Sequence, residues 1–137
     1  MSAAEKDINT ALSVRLAEIQ SAGVPAIAYE NAPFTPTEGT LYLREDFIPN
    51  IKDAVGIAHT SADDYEGLYQ VTVLSARGGR RFDGQEQARL VSAHFPRGAE
   101  YTYNAVKVKI TSSQVGSPIQ DEDRYAIPVT ISWRALV

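Results

Sequence analysis

The segment Tyr65-Glu-Gly-Leu-Tyr-Gln-Val-Thr-Val-Leu-Ser-Ala is followed by Arg77-Gly-Gly-Arg-Arg and then by Phe82-Asp-Gly-Gln-Glu and a run to Phe95. Tyr69, Val71 and Val73 alternate with Gln70 and Thr72, the pattern of a half-buried strand, here over 68–75. Ala88, Val91 and Phe95 share one helical face, and Pro96 and Gly98 stop the chain from continuing, so the spacing predicts a helix over 84–95. Asp83 with Glu86 offers a capping box for its first turn. A strand and a helix that packs back on the sheet, joined by three arginines and two glycines, form the unit to which the rest attaches.

Upstream, Ile8, Leu12, Leu16 and Ile19 recur at spacings of four, four and three, which makes one apolar face of a helix over 3–22. Ser2 and Glu5 fit its start, and Gly23 and Pro25 its end. Strands are expected over 26–30 and 40–47, with Leu41 and Leu43 on one face and Tyr42 and Arg44 on the other. The intervening 31–39 is dense in turn formers, so the pair reads as a hairpin with a long, Pro-rich tip. Residues 49–64 mix Ile51, Val55 and Ile57 with Gly56, His59, Asp63 and Asp64 and read mostly as an exposed loop.

Downstream, Val106, Val108 and Ile110 alternate with Lys107 and Lys109 in a strand over 105–111. A loop over 112–123 precedes the longest strand, 124–135, with Tyr125, Ile127, Val129, Ile131 and Trp133 on one face. Pro128 cannot donate a ladder bond, which places this strand at an edge or bulges it there. The order α-β-β-β-α-β-β implies an α+β, two-layer sandwich: two helices on one face of a mostly antiparallel or mixed sheet. The second helix is a candidate crossover for a parallel pair.

The chain has 137 residues, which suits one domain over 1–137, and 44% hydrophobic composition, enough for a core without staples. With 13 Lys+Arg against 17 Asp+Glu the net charge is −4, which is not the basic footprint of a general nucleic-acid binder. There is no cysteine, so disulfide and thiolate chemistry are excluded. The charged start, Met1-Ser-Ala-Ala-Glu-Lys-Asp, lacks the apolar core of a signal peptide, and no apolar run is long enough for a membrane helix. Production in a cytoplasm, or in a particle assembled there, is the expectation.

Few residues point to chemistry. His59 and His94 are candidate acid–base groups, and His59 with Asp63 and Asp64 a candidate metal set, but no HExxH-type spacing supports either. Arg77-Gly-Gly-Arg-Arg lacks the Lys and Ser/Thr of a phosphate loop. Its arginines, Arg77, Arg80 and Arg81, read as contacts to DNA phosphates, or as part of a solvated or subunit-facing loop. Asp121, Glu122 and Asp123 read as a solvated turn or an acidic partner contact, without the ligand pattern of a calcium loop. No cofactor is implied.

The combination resembles the phage tail terminator or minor tail protein U-like family of long-tailed phages. The resemblance rests on the first helix followed by Ala28-Tyr-Glu-Asn-Ala-Pro-Phe-Thr-Pro and Thr40-Leu-Tyr-Leu-Arg. It continues through Tyr65-Glu-Gly-Leu-Tyr-Gln-Val-Thr-Val, the glycine-bearing turn and helix to Phe95, and the ending Val129-Thr-Ile-Ser-Trp-Arg-Ala. It implies a non-enzymatic virion protein that forms a ring, typically a hexamer, on the end of the tail tube. The ring stops tube polymerisation and offers a surface to head-completion (connector) proteins, while DNA passes through the lumen. It implies no catalytic residues. Candidate contact residues are Arg77, Arg80, Arg81, Asp121, Glu122, Asp123 and Pro128. The rival readings are a small enzyme or ligand-binding domain with a pocket near His59, and a nucleic-acid binder using Arg77–Arg81.

Overall fold

The strand alternation is the organising feature of the structure. The computed structural model describes residues 3–20, 25–29, 34–35, 41–54, 63–76, 81–104, 106–121 and 124–136. They form α1 (Ala3–Ala17), β1 (Ala26–Ala28), β2 (Tyr42–Ala54), β3 (Asp63–Ala76), α2 (Arg81–His94), β4 (Glu100–Tyr103), β5 (Val106–Val115), β6 (Ile119–Asp121) and β7 (Arg124–Leu136). The strands make one sheet in the order β1-β2-β3-β7-β5-β4, with β6 also on β7.

One face of this sheet is apolar and carries both helices. Leu43 and Phe47 from β2, Tyr69, Val71 and Val73 from β3, Ile127 to Trp133 at alternate positions of β7, and Val106, Val108 and Ile110 from β5 are buried there. Against them pack Ile8, Leu12 and Leu16 of α1, Ala88 and Val91 of α2 and Phe95 just beyond it, the same stripes that the helical spacing predicts. Each fully buried side chain of this size stabilises the fold by about 1.5–3 kcal/mol. Phe95 is the aromatic hinge of the layer, with its ring against Tyr69 at 5.9 Å and Tyr101 at 6.0 Å. The opposite, open face presents Arg44, Ile48, Glu66, Leu68, Lys107, Lys109 and Arg134, all exposed.

The two-layer α+β sandwich is corrected. Among the described residues, 60 lie in strands and 29 in two helices, and the sheet curls into a half-barrel. Element lengths supply the reason. A 15-residue helix is about 22 Å long, whereas a 14-residue strand such as β3 spans about 46 Å. Two such helices cannot roof the sheet, so the sheet bends over its own core. Register shifts between Pro49 and Ile51 in β2 and between Ile110 and Ser112 in β5 supply bulges, which bend a strand and sharpen its twist.

Other expectations change with it. β1 and β2 are parallel neighbours, not a hairpin, and most of the expected tip over 31–39 lies outside the described residues; Phe34 packs on Tyr42 at 4.9 Å. Residues 50–54 and 63–64, expected in a loop, extend β2 and β3 into a long hairpin. α2 does not link a parallel pair, because β7 lies between β3 and β5. It begins at Arg81, so Asp83 lies inside the helix and not at its N-cap position, and Glu86 pairs with Arg89 at 2.6 Å.

Two strands were not foreseen. β4 turns into β5 at Asn104, whose φ of 48° is a left-handed conformation that Asn tolerates. β6 continues β5 along β7 after residues 116–118.

Candidate assembly interface

The end of β3, the end of β6 and the start of β7 lie together at one end of the sheet. Ala76, the last residue of β3, is directly opposite Arg124, and Arg124 is opposite Asp121 on β6. In the sequence Arg77 follows Ala76, and Glu122 and Asp123 lie between Asp121 and Arg124. Arg77, Arg80, Glu122, Asp123 and His59 lie outside the described residues. Arg81 opens α2, and Asp121 closes β6.

α2 is seated here by a close approach. A Cβ on Gly84 would stand 3.2 Å from Ser75 Oγ and 3.3 Å from Ile127 Cδ1, so the first turn of the helix lies directly on β3 and β7. Ser75 Oγ donates in turn to the Tyr125 carbonyl at 3.2 Å. These contacts fix where Arg81 emerges, at the same end as Arg124 and Asp121.

Pro128 is not on an edge strand. β7 is central, with β3 on one side and β5 and β6 on the other. Pro128 O accepts from Gly116 N–H at 2.7 Å, so its carbonyl faces the β5–β6 side. A strand residue's N–H and C=O point the same way, so the missing N–H also falls on that side. There the ladder is interrupted, between the pairs Val115↔Val129 and Ile119↔Ala126. A central strand therefore tolerates this proline.

His94 acts as a clasp. Its Nε2 is 2.6 Å from the Arg15 carbonyl at the end of α1, and Glu18 lies 3.9 Å away. The His94 carbonyl accepts from Tyr101 OH at 3.2 Å. The Arg15 guanidinium lies 5.0 Å over the Tyr101 ring. These contacts tie the two helix ends to β4. Among the described residues no group of three His, Cys, Asp or Glu could hold a metal ion.

A buried carboxylate escaped the sequence reading. Glu45 is 4% exposed, and the same oxygen accepts from Tyr69 OH at 2.6 Å and Ser13 Oγ at 2.7 Å. Burial first, and the Glu45 charge second, push the Tyr69 hydroxyl well above its ordinary value. The signal was present in the strand: Glu45 stands between Leu43 and Phe47 on the apolar alternation.

These contacts are structural: among the described residues, hydroxyls, a carboxylate and an imidazole hold helices to a sheet. The sequence matches the family described as phage tail terminator protein over residues 7–133. The chain belongs to that family. It is a structural protein of the phage tail.

No curated protein matches it. Solved structures share the tail terminator's fold. One, 23% identical, superposes with a TM-score of 0.79 over 98% of this chain and 96% of that chain. Another, from the virion of a native gene transfer agent particle, is 14% identical with a TM-score of 0.65 over 100% of both chains. The family is one of phage structural proteins, which are typically non-enzymatic.

Proposed function

We propose that this tail terminator closes into a homo-oligomeric ring, with six copies as the working number, on the end of the tail tube. The ring halts addition of tube protein and offers its other face to a head-completion protein, with DNA passing through the lumen. Family membership over residues 7–133 is the observation that carries this reading. The gene transfer agent chain supports it by its fold and by the particle it comes from. The sheet also has two unlike sides, β1–β2 and β5–β4, which suits a heterologous contact that closes by rotation.

The test is assembly. Native mass spectrometry and negative-stain images of concentrated protein are expected to show closed rings, and adding the protein to polymerising tube protein is expected to fix tube length. A strict monomer at every concentration, with no effect on tube growth, refutes the proposal.

A further inference from the structure

The sheet ends at β4 on one side and at β1 on the other, and among the described residues no strand pairs with the outer side of either. The two edge strands run the same way. β1 is parallel to β2, and the four antiparallel pairings from β2 through β3, β7 and β5 to β4 restore the original direction. On β4 the outward backbone groups can be assigned. Ile110 N–H donates to the Ala99 carbonyl at 2.8 Å, so the alternation turns the backbone groups of Tyr101 and Tyr103 towards β5 and those of Glu100 and Thr102 outwards.

A groove of about 260 Å³ lies between this edge and α1. Ala11, Val14 and Arg15 of α1, with Glu18 just beyond it, form the helical wall, a second flank beside the Ile8, Leu12 and Leu16 stripe that meets the sheet. Tyr103 lines the other wall, and it and Val14 are exposed apolar groups. Edges that stay unpaired are commonly guarded by lysine, proline or a free charge. β4, Glu-Tyr-Thr-Tyr, and β1, Ala-Ile-Ala, carry neither lysine nor proline. The one charge, Glu100, is held within the subunit by Lys107 at 3.3 Å. The two edges also match in length, four residues and three. Pairing β4 with β4 about a two-fold axis sets the strands antiparallel and closes as a dimer. Joining β4 to β1 keeps both strands in one direction and repeats from copy to copy.

We propose that the outer edge of β4 takes the β1 edge of a neighbouring copy as a parallel strand, so that one sheet continues from subunit to subunit. The proposal rests on the ring reading and names its contact. Thr102, opposite Lys107, is on the open face, and Ala28, opposite Arg44, is on that face with Ala26, so the small side chains of β1 meet Thr102 there. Ile27 and Tyr103 fall on the other face, where Val14 extends the apolar layer across the contact.

Substitution and cross-linking test it. Thr102→Pro removes an N–H that the β5 ladder does not use. It is expected to leave the thermal midpoint nearly unchanged and to raise the concentration needed for half-assembly by roughly tenfold or more. Val14→Glu, at an exposed position in the groove, is expected to do the same. The chain has no cysteine, so introduced thiols report only the chosen contact. Thr102→Cys combined with Ala26→Cys or with Ala28→Cys is expected to give a ladder of linked multimers with a short thiol-bridging reagent, and Thr102→Cys alone to give none. Linked dimers from Thr102→Cys alone place β4 against β4 and overturn the proposal. If wild-type rings form but neither Thr102→Pro nor Val14→Glu changes assembly and the paired thiols do not link, this contact is wrong and the ring stands. If the substitutions weaken assembly but neither thiol pair links, another segment fills the groove and β1 is the wrong occupant. If the wild type forms no ring, both readings fail.

Discussion

Gly67 and Trp133 stand directly opposite one another in the β3–β7 ladder, and the indole occupies the space that a side chain at 67 would need. A Cβ there would come within 2.7 Å of Trp133 Cζ2 and 2.7 Å of the Ile48 carbonyl. The ring is held on its other contacts, stacked on Phe47 at 5.6 Å, and cannot yield without disturbing the core. Gly67→Ala is expected to destabilise the fold by about 1–3 kcal/mol, as overpacking does, read as a lowered urea midpoint.

The Glu45 cluster predicts an alkaline limit. The folded state keeps the Tyr69 hydroxyl neutral well above its ordinary value of 10.0, while the unfolded chain ionises there. The stability linked to this group is therefore fully present below about pH 10 and declines as pH rises above it, by at most about 1.4 kcal/mol per pH unit. Tyr29 shifts in the same direction, through burial first and the charge of Glu45 second. Tyr69→Phe is expected to flatten most of this decline, measured as the unfolding midpoint against pH from 8 to about 11.

His94→Ala removes the bond from the α2 end to the Arg15 carbonyl. A loss of about 1 kcal/mol is expected. Hydrogen exchange should localise it: amides near the end of α1 lose protection, while those of β3 and β7 keep theirs.

Gly116 offers a separate probe of the interrupted ladder. A Cβ at this position would lie 2.9 Å from Pro128 Cγ. Gly116→Ala is expected to push β6 away from β7, lowering the thermal midpoint by several degrees if it costs about 1 kcal/mol. Replacing Pro128 by Ala together with Gly116→Ala should recover part of that loss; an undiminished loss would show that the proline ring is not what Gly116 accommodates.

The sequence was most informative where side chains repeat with a clear period. Ile8, Leu12 and Leu16, or Val106, Val108 and Ile110, announce their element and their buried face alone. It was least informative where strands absorb turn-forming residues. Pro49 and Asn50 read as the start of a loop, but a bulge takes them into β2. Thr111 to Gln114 lose the alternation because the bulge after Ile110 shifts the face, so that Ser113 reaches Ser92 of α2 at 2.8 Å. Pro128 was read by its missing donor, which indicates a gap beside the strand but not whether that gap is solvent or an interruption between β5 and β6. The charged segments were visible as composition. That Ala76, Arg124 and Asp121 share one sheet end depends on register, which no local pattern carries.

The central place of β7 has a consequence for how the protein is made. Of the described strands, the one that joins β1-β2-β3 to β5-β4 is translated after the other six. Until residues 124–136 emerge, β3 and β5 each expose an edge with no shared neighbour. An incompletely synthesised chain therefore holds two separate sheet fragments. The contacts that unite them span long stretches of sequence, a topology associated with slow folding. A chain cut short before β7 therefore lacks the strand that unites the two halves of the sheet.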